Sequence, residues 1–275
     1  VNLELTGSRS SMTTRYLNLT PPFRLSRHGT PKGGYLWDGR VDDRFEQVFH
    51  SGPFFNSVEM ALPGSASQPS ALTDLVRSAS YWPLLQALYV NQPGLIDTDV
   101  ELFKQISVLL EVYQRDDDDY NLFDSKYDQV QAGSTAFSNE EMRGLAIFSD
   151  TQRGNCTSCH SVKPRGEGES RLFTNFGYAA LGTPRNHTVS ANADPSHFDL
   201  GLCARDSING ASDRKVRRAR YCGLFKTPTL RNVERTAPYF HNASVATLED
   251  AVRFHFERDT QPQKWYRKAD GSADR

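Results

Sequence analysis

Apolar residues in this chain recur at helical spacing and seldom alternate with polar ones for long, which predicts a mostly α protein. Thr98-Asp99-Val100-Glu101 reads as a capping box opening a helix through Leu102, Phe103, Ile106, Leu109 and Leu110. The carboxylates Asp116 to Asp119 repel one another and predict a solvated turn that ends it. A second capping box, Ser138-Asn139-Glu140-Glu141, predicts a helix through Met142, Leu145 and Phe148. Thr247-Leu248-Glu249-Asp250 caps a third, whose stripe of Leu248, Ala251, Val252 and His255 predicts the histidine on the buried face. Residues 161 to 235 are rich in Gly, Pro, Asn, Ser and Arg and read as long loops, with too few apolar residues to form a core alone.

Composition narrows the reading. A chain of 275 residues is one large domain or two small ones and can bury a real core. With 32 basic and 33 acidic residues the net charge is −1, which gives no reason to expect a nucleic-acid partner. No window approaches the roughly 18 uncharged apolar residues of a spanning helix, so no membrane span is expected. Val1 opens into polar, mature-looking sequence without a signal-peptide pattern.

The cysteines change the picture most. Cys156 and Cys159 lie in Cys-Thr-Ser-Cys-His, the spacing of a c-type haem attachment. Two thiols three residues apart reach both vinyl groups of one porphyrin, and the adjacent His160 turns its imidazole onto the iron. A redox dithiol would call for a βαβ context, and a zinc site for two more ligands at short spacing; neither is evident. A lone histidine on an apolar stripe is ordinarily a core residue, but a haem lacking a second ligand makes His255 a candidate for that role. Haem attachment implies an oxidising compartment, where Cys203 and Cys222 are expected to pair rather than remain free thiols. A bridge closing a loop of this size contributes about 3 kcal/mol in the chain-entropy model.

Longer motifs then point to a family. Gly223-Leu224-Phe225-Lys226-Thr227-Pro228-Thr229-Leu230-Arg231-Asn232 is followed by Thr236-Ala237-Pro238-Tyr239-Phe240-His241. Upstream stand Trp37-Asp38-Gly39-Arg40, Glu46-Gln47 and Asn56-Ser57-Val58-Glu59-Met60. From about Gly7 onward the chain resembles the bacterial dihaem cytochrome c peroxidase and MauG superfamily. The resemblance implies that His160 is the proximal ligand of the C-terminal, electron-transferring haem. The other ligand of that haem is a methionine in the peroxidases and a tyrosine in MauG-like members. The matching position here is His255, a departure from both, with His241 as the rival ligand. Histidine in place of methionine would stabilise the ferric state and lower the potential.

Trp37 matches the tryptophan placed between the two haems as an electron relay, although a buried core aromatic would read the same. Gln47 and Glu59 match distal residues of the peroxidatic haem, where a carboxylate moves a proton between peroxide oxygens. A calcium ion between the haem domains is implied on backbone oxygens near Thr236 and Pro238, with Ser10 standing where the family has an asparagine.

The expected fold is therefore mostly α, with class I cytochrome c-like domains, long loops and a two-haem architecture seen in part. Residues 1–130 would be the remainder of an N-terminal peroxidatic domain lacking its CxxCH. Residues 131–275 would be the C-terminal haem domain lacking its last helix. The chain reads as a portion of a longer dihaem protein, a genuine single-haem relative being the other account. The implied activity is periplasmic reduction of hydrogen peroxide with electrons from a small cytochrome c or cupredoxin. The alternatives are MauG-like, peroxide-driven oxidation of a partner protein, or a non-catalytic electron carrier. Phe254 to Thr260 and the Cys203/Cys222 pair look more like the MauG-like branch, and a homodimer is left open.

Overall fold

The computed structural model describes residues 7–49, 54–55, 60–163, 171–209, 218–268 and 270–273. Glu59 lies outside the described residues. The first half of the chain is a small helical body. Its helices are α1 (Arg44–Phe49), α2 (Ser70–Ser78), α3 (Trp82–Leu88) and α4 (Asp99–Asp116). α4 is its spine, with Leu102 and Phe103 fully buried. The Phe103 ring is surrounded by Phe49, Phe54 and Phe55 at centroid distances of 5.0 to 5.9 Å. Asp99 ties α4 to α2 by accepting from Thr73 at 2.8 Å and pairing with Arg77.

The capping box expected at Thr98 forms only by half. Its hydroxyl accepts from the Glu101 amide at 3.2 Å, but the Glu101 carboxylate pairs with Lys104 at 2.7 Å instead. An i,i+3 cation one turn along outcompetes a single backbone amide for the same carboxylate. After the acidic turn come α5 (Lys126–Gln131) and α6 (Asn139–Ser149), each opened by a complete capping box. α6 buries none of its residues. Met142 and Leu145 instead edge an open groove with Val130, Ala136 and Phe137.

Outside these helices the described chain is mostly loop. β1 (Arg24–Leu25) pairs with β2 (Pro31–Lys32), and β3 (Tyr178–Ala179) with β4 (Phe225–Lys226), both antiparallel. A single-turn helix, α7 (Asp206–Asn209), lies near the Cys203–Cys222 disulfide. The stretch around these cysteines looked polar in sequence. Yet Cys203 is fully buried with Leu202, Ile208 and Tyr221. Arg205 fastens this small core to the Trp37–Arg40 turn. Its guanidinium donates to the Gly39 carbonyl, pairs with Asp42 at 2.8 Å and lies 4.2 Å over the Phe23 ring. α8 (Leu248–Glu257) and α9 (Pro262–Trp265) close the described chain. Among the described residues no helix is long and apolar enough to cross a membrane.

Candidate metal centre

The Cys156–Ser158 turn is a short 3-10 helix launched from the end of α6. Gly154 makes the launch possible. Its amide donates to the Ile147 carbonyl at 3.1 Å, and a Cβ there would lie 2.3 Å from that oxygen. Asn155 then turns through the left-handed region at φ 48°, a conformation asparagine tolerates better than most residues. The turn is closed by the His160 amide on the Cys156 carbonyl at 2.8 Å. Asn175 buttresses it, its amide on the Cys159 carbonyl at 2.8 Å and its side chain on Ser158 at 2.9 Å. Both cysteines carry free, half-buried thiols. Burial raises the pKa of Cys156.

His160 is fixed through Nδ1, which lies 3.0 Å from the Phe173 carbonyl. A carbonyl only accepts, so the proton sits on Nδ1 and Nε2 keeps a lone pair. Phe173 itself holds φ 52°, uncommon for a bulky residue, and this turns its carbonyl onto the imidazole. His255 repeats the arrangement, with Nδ1 2.8 Å from the Ala251 carbonyl one helical turn back. Burial lowers the pKa of both histidines, and the nearby His255 lowers that of His160 further. Both rings are therefore neutral at neutral pH and can donate a lone pair to a metal.

Cys156, Cys159, His160 and His255 all line one cavity of about 1290 Å³. Its walls include Phe176, Pro228, Leu230, Tyr239, Phe240 and Val252. An apolar chamber of this size, lined by two thiols and two neutral imidazoles, fits a covalently held haem. One expectation changes here. His255 does not lie on the packed face of α8; that face is Ala251 and Phe254, while Val252 and His255 present accessible surface to the cavity. The apolar stripe is the face turned to the cavity, not to the core.

The other expected residues divide. Trp37 lines the same cavity, and its indole donates to the Ser10 carbonyl at 2.8 Å. The Ser10 amide donates to the His241 carbonyl at 2.7 Å. His241 stacks on Phe225 at 3.5 Å between centroids, close to Asp199 and Arg9, and burial pushes it down to about 4. Ser10, Thr236 and Pro238 line the cavity as well. Among the described residues no hydrogen bond ends on the Thr236 or Pro238 carbonyl. Gln47 lies on α1 and is not among the cavity-lining residues.

Three known proteins place these observations. The methylamine utilization protein MauG of Paracoccus denitrificans is 35% identical over 251 residues, which is 90% of this chain and 60% of MauG. The cytochrome c551 peroxidase of Nitrosomonas europaea is 27% identical across 79% of this chain and 52% of its own length. The crystal structure of the dihaem peroxidase BthA from Burkholderia thailandensis superposes with a TM-score of 0.82 at 30% identity. It covers 98% of this chain and 63% of BthA. The chain belongs to the dihaem cytochrome c peroxidase and MauG superfamily. It spans about three fifths of the length of MauG and BthA. No protein-family model matches it. Membership accords with a mostly helical fold of cytochrome c-like type and with c-type haem as the cofactor of the group.

Two residues of the superfamily motif carry weight that their spacing did not announce. Lys226 is buried in the cavity wall. Arg231 is also buried, pairing with Asp128 and donating to the Arg171 carbonyl at 2.7 Å. Its guanidinium lies 4.4 Å over Phe123 and 5.6 Å over Phe173. Arg231 thereby holds in place the segment whose carbonyl orients His160. An isolated cation within an apolar and Thr-Pro run was the available signal.

Proposed function

We propose that this chain is part of a periplasmic haem oxidoreductase that reduces hydrogen peroxide with electrons from a small cytochrome c or cupredoxin. The observation that carries the reading is that one cavity is lined by Cys156, Cys159, two neutral imidazoles at His160 and His255, and Trp37. A haem held there supplies one-electron chemistry at its iron. Cys156 and Cys159 would hold it by thioether bonds, and His160 and His255 would ligate its iron. The Phe173 carbonyl keeps the proton on His160 Nδ1 and makes the ring a stronger donor. His255 is favoured over His241 because it lies near enough to His160 to lower its pKa, whereas the His241 ring is engaged with Phe225. Trp37, fixed by Ser10, is an aromatic group positioned to pass electrons onward.

Gln47 and Glu59 would serve the peroxidatic centre, Glu59 moving a proton between the peroxide oxygens. Each peroxide takes up two electrons and two protons and leaves as two waters. The carbonyls of Thr236 and Pro238, on which no hydrogen bond ends among the described residues, and the Ser10 hydroxyl would offer oxygen donors to a calcium ion.

A MauG-like role, oxidising a partner protein with peroxide, is the second reading, and the 35% identity to MauG favours it. Stopped-flow mixing of the haem-loaded full-length protein with peroxide separates the two. Rapid turnover with a reduced small cytochrome supports the peroxidase. A long-lived oxidised state with poor turnover supports the MauG-like role. No reaction leaves an electron carrier and overturns both.

A further inference from the structure

Lys226 sits on β4 opposite Tyr178, with its backbone amide on the Trp37 carbonyl at 2.7 Å. Only 4% of the residue is exposed, and what surface remains belongs to the wall of the haem cavity. Among the described residues its ammonium has no ion pair or hydrogen bond. The other cations along this cavity are provided for differently. Arg9 pairs with Asp38 and Asp199, both at 2.6 Å, and Arg40 shares Asp38 at 3.1 Å. Arg185 and Arg15 are only half-buried and donate to backbone carbonyls. Lys226 alone of these cations is both buried and without an acceptor.

A buried ammonium without a counter-ion is among the costliest features a fold can carry. Burial pushes Lys226 down to about 8, and no carboxylate opposes the shift. It still carries its charge at neutral pH. Lysine is poorly suited to fill apolar space that leucine or methionine would fill without the penalty. A lysine here is accounted for by an anion that arrives with whatever the cavity holds.

We infer that Lys226 is a carboxylate-binding residue of the cavity, pairing with a propionate of the haem beside Trp37. The inference rests on the cavity being a haem site. It adds a cation that sets the charge around the cofactor at the end of the cavity where Trp37 stands. Positive charge there favours the ferrous state, since it offsets the propionate. Replacing Lys226 therefore moves the ferric/ferrous equilibrium toward ferric.

The test uses haem-loaded full-length protein carrying Lys226→Met, Lys226→Gln or Lys226→Arg, with intact mass establishing haem content first. A native protein without covalent haem overturns the underlying reading, not the role of Lys226 within it. Given covalent haem, Met and Gln should shift the reduction equilibrium of the His160 haem roughly tenfold toward ferric. Arg, which keeps the charge, should restore it. The propionate-bending band in resonance Raman spectra should move in Met and Gln, a change that altered packing alone would not produce. An unchanged potential and band in fully loaded Gln or Met protein overturns the proposal. So does a native potential that depends on added acetate, because a carboxylate from solution would then be the partner. If Met fails to load haem, the Gln and Arg pair reads the same difference.

Discussion

Arg231 grips Asp128 through two hydrogen bonds of 2.9 Å, joining residues 103 positions apart in the chain. Burial opposes ionisation of this aspartate, but hydrogen bonds from Arg231 and Ser125 outweigh it and hold its pKa below the usual value. The pair links α5 to the loop that carries Phe173, and so lies one step behind His160.

Breaking this pair should be expensive. Arg231→Met leaves a largely buried carboxylate without its partner and is expected to cost about 3 kcal/mol or more, measured as a lower midpoint in urea. The pH dependence has a definite sign. A carboxyl whose folded pKa is depressed stabilises fully above its unfolded value, about 3.9, and loses that contribution as pH falls through the folded value. Native protein should therefore lose stability below about pH 4 more steeply than Asp128→Asn.

His255 makes a spectroscopic prediction. With an imidazole as sixth ligand, the oxidised protein should lack the charge-transfer band of methionine ligation. His255→Met should gain that band and raise the midpoint potential by part of the ~0.8 V range that axial ligands span. A methionine-type band in the native protein would remove His255 from the iron.

Attachment through Cys156 and Cys159 is checked by mass. Under denaturing acid extraction the haem should stay with the native polypeptide. In the Cys156→Ala, Cys159→Ala double variant all of it should be extracted into solvent. Either single variant should retain one thioether.

The Cys203–Cys222 bridge is tested through stability. Replacing both cysteines with serine should lower stability by about 3 kcal/mol, the entropic value for a loop of this length, seen as a reduced thermal midpoint. Cys203 lies within a buried cluster, so serine adds a desolvation penalty and the loss should exceed that of reducing the native bridge.

Local signals in this sequence were informative wherever the outcome depended on neighbours along the chain. The caps at Ser138 and Thr247, and the Cys-Thr-Ser-Cys-His turn, involve residues within four positions of one another, and their residue types announce them. Glu101 shows the limit, because Lys104 competes for its carboxylate and a spacing pattern does not weigh competitors. His255 shows another. Hydrophobic periodicity identifies a face turned from bulk water but does not distinguish a packed core from the wall of a cofactor chamber. Lys226 and Arg231 were hidden for a third reason. Their partners, the cavity and Asp128, lie far away in sequence, and a single cation has no period. Gln47 and Glu59 were legible only through family resemblance, and Gln47 stands apart from the cavity of His160.

The build of α8 has a consequence for how such proteins diversify. Thr247 caps the helix, and Ala251 and Phe254 anchor it. His255 adds a hydrogen bond to the Ala251 carbonyl and ring contacts with Phe240 at 5.7 Å and Phe254 at 6.1 Å. The segment can thus fold before any iron is bound and offers position 255 as a socket. Residues of different donor strength can be exchanged there at little cost to folding, so the electrochemistry of the centre is free to drift while its scaffold stays the same.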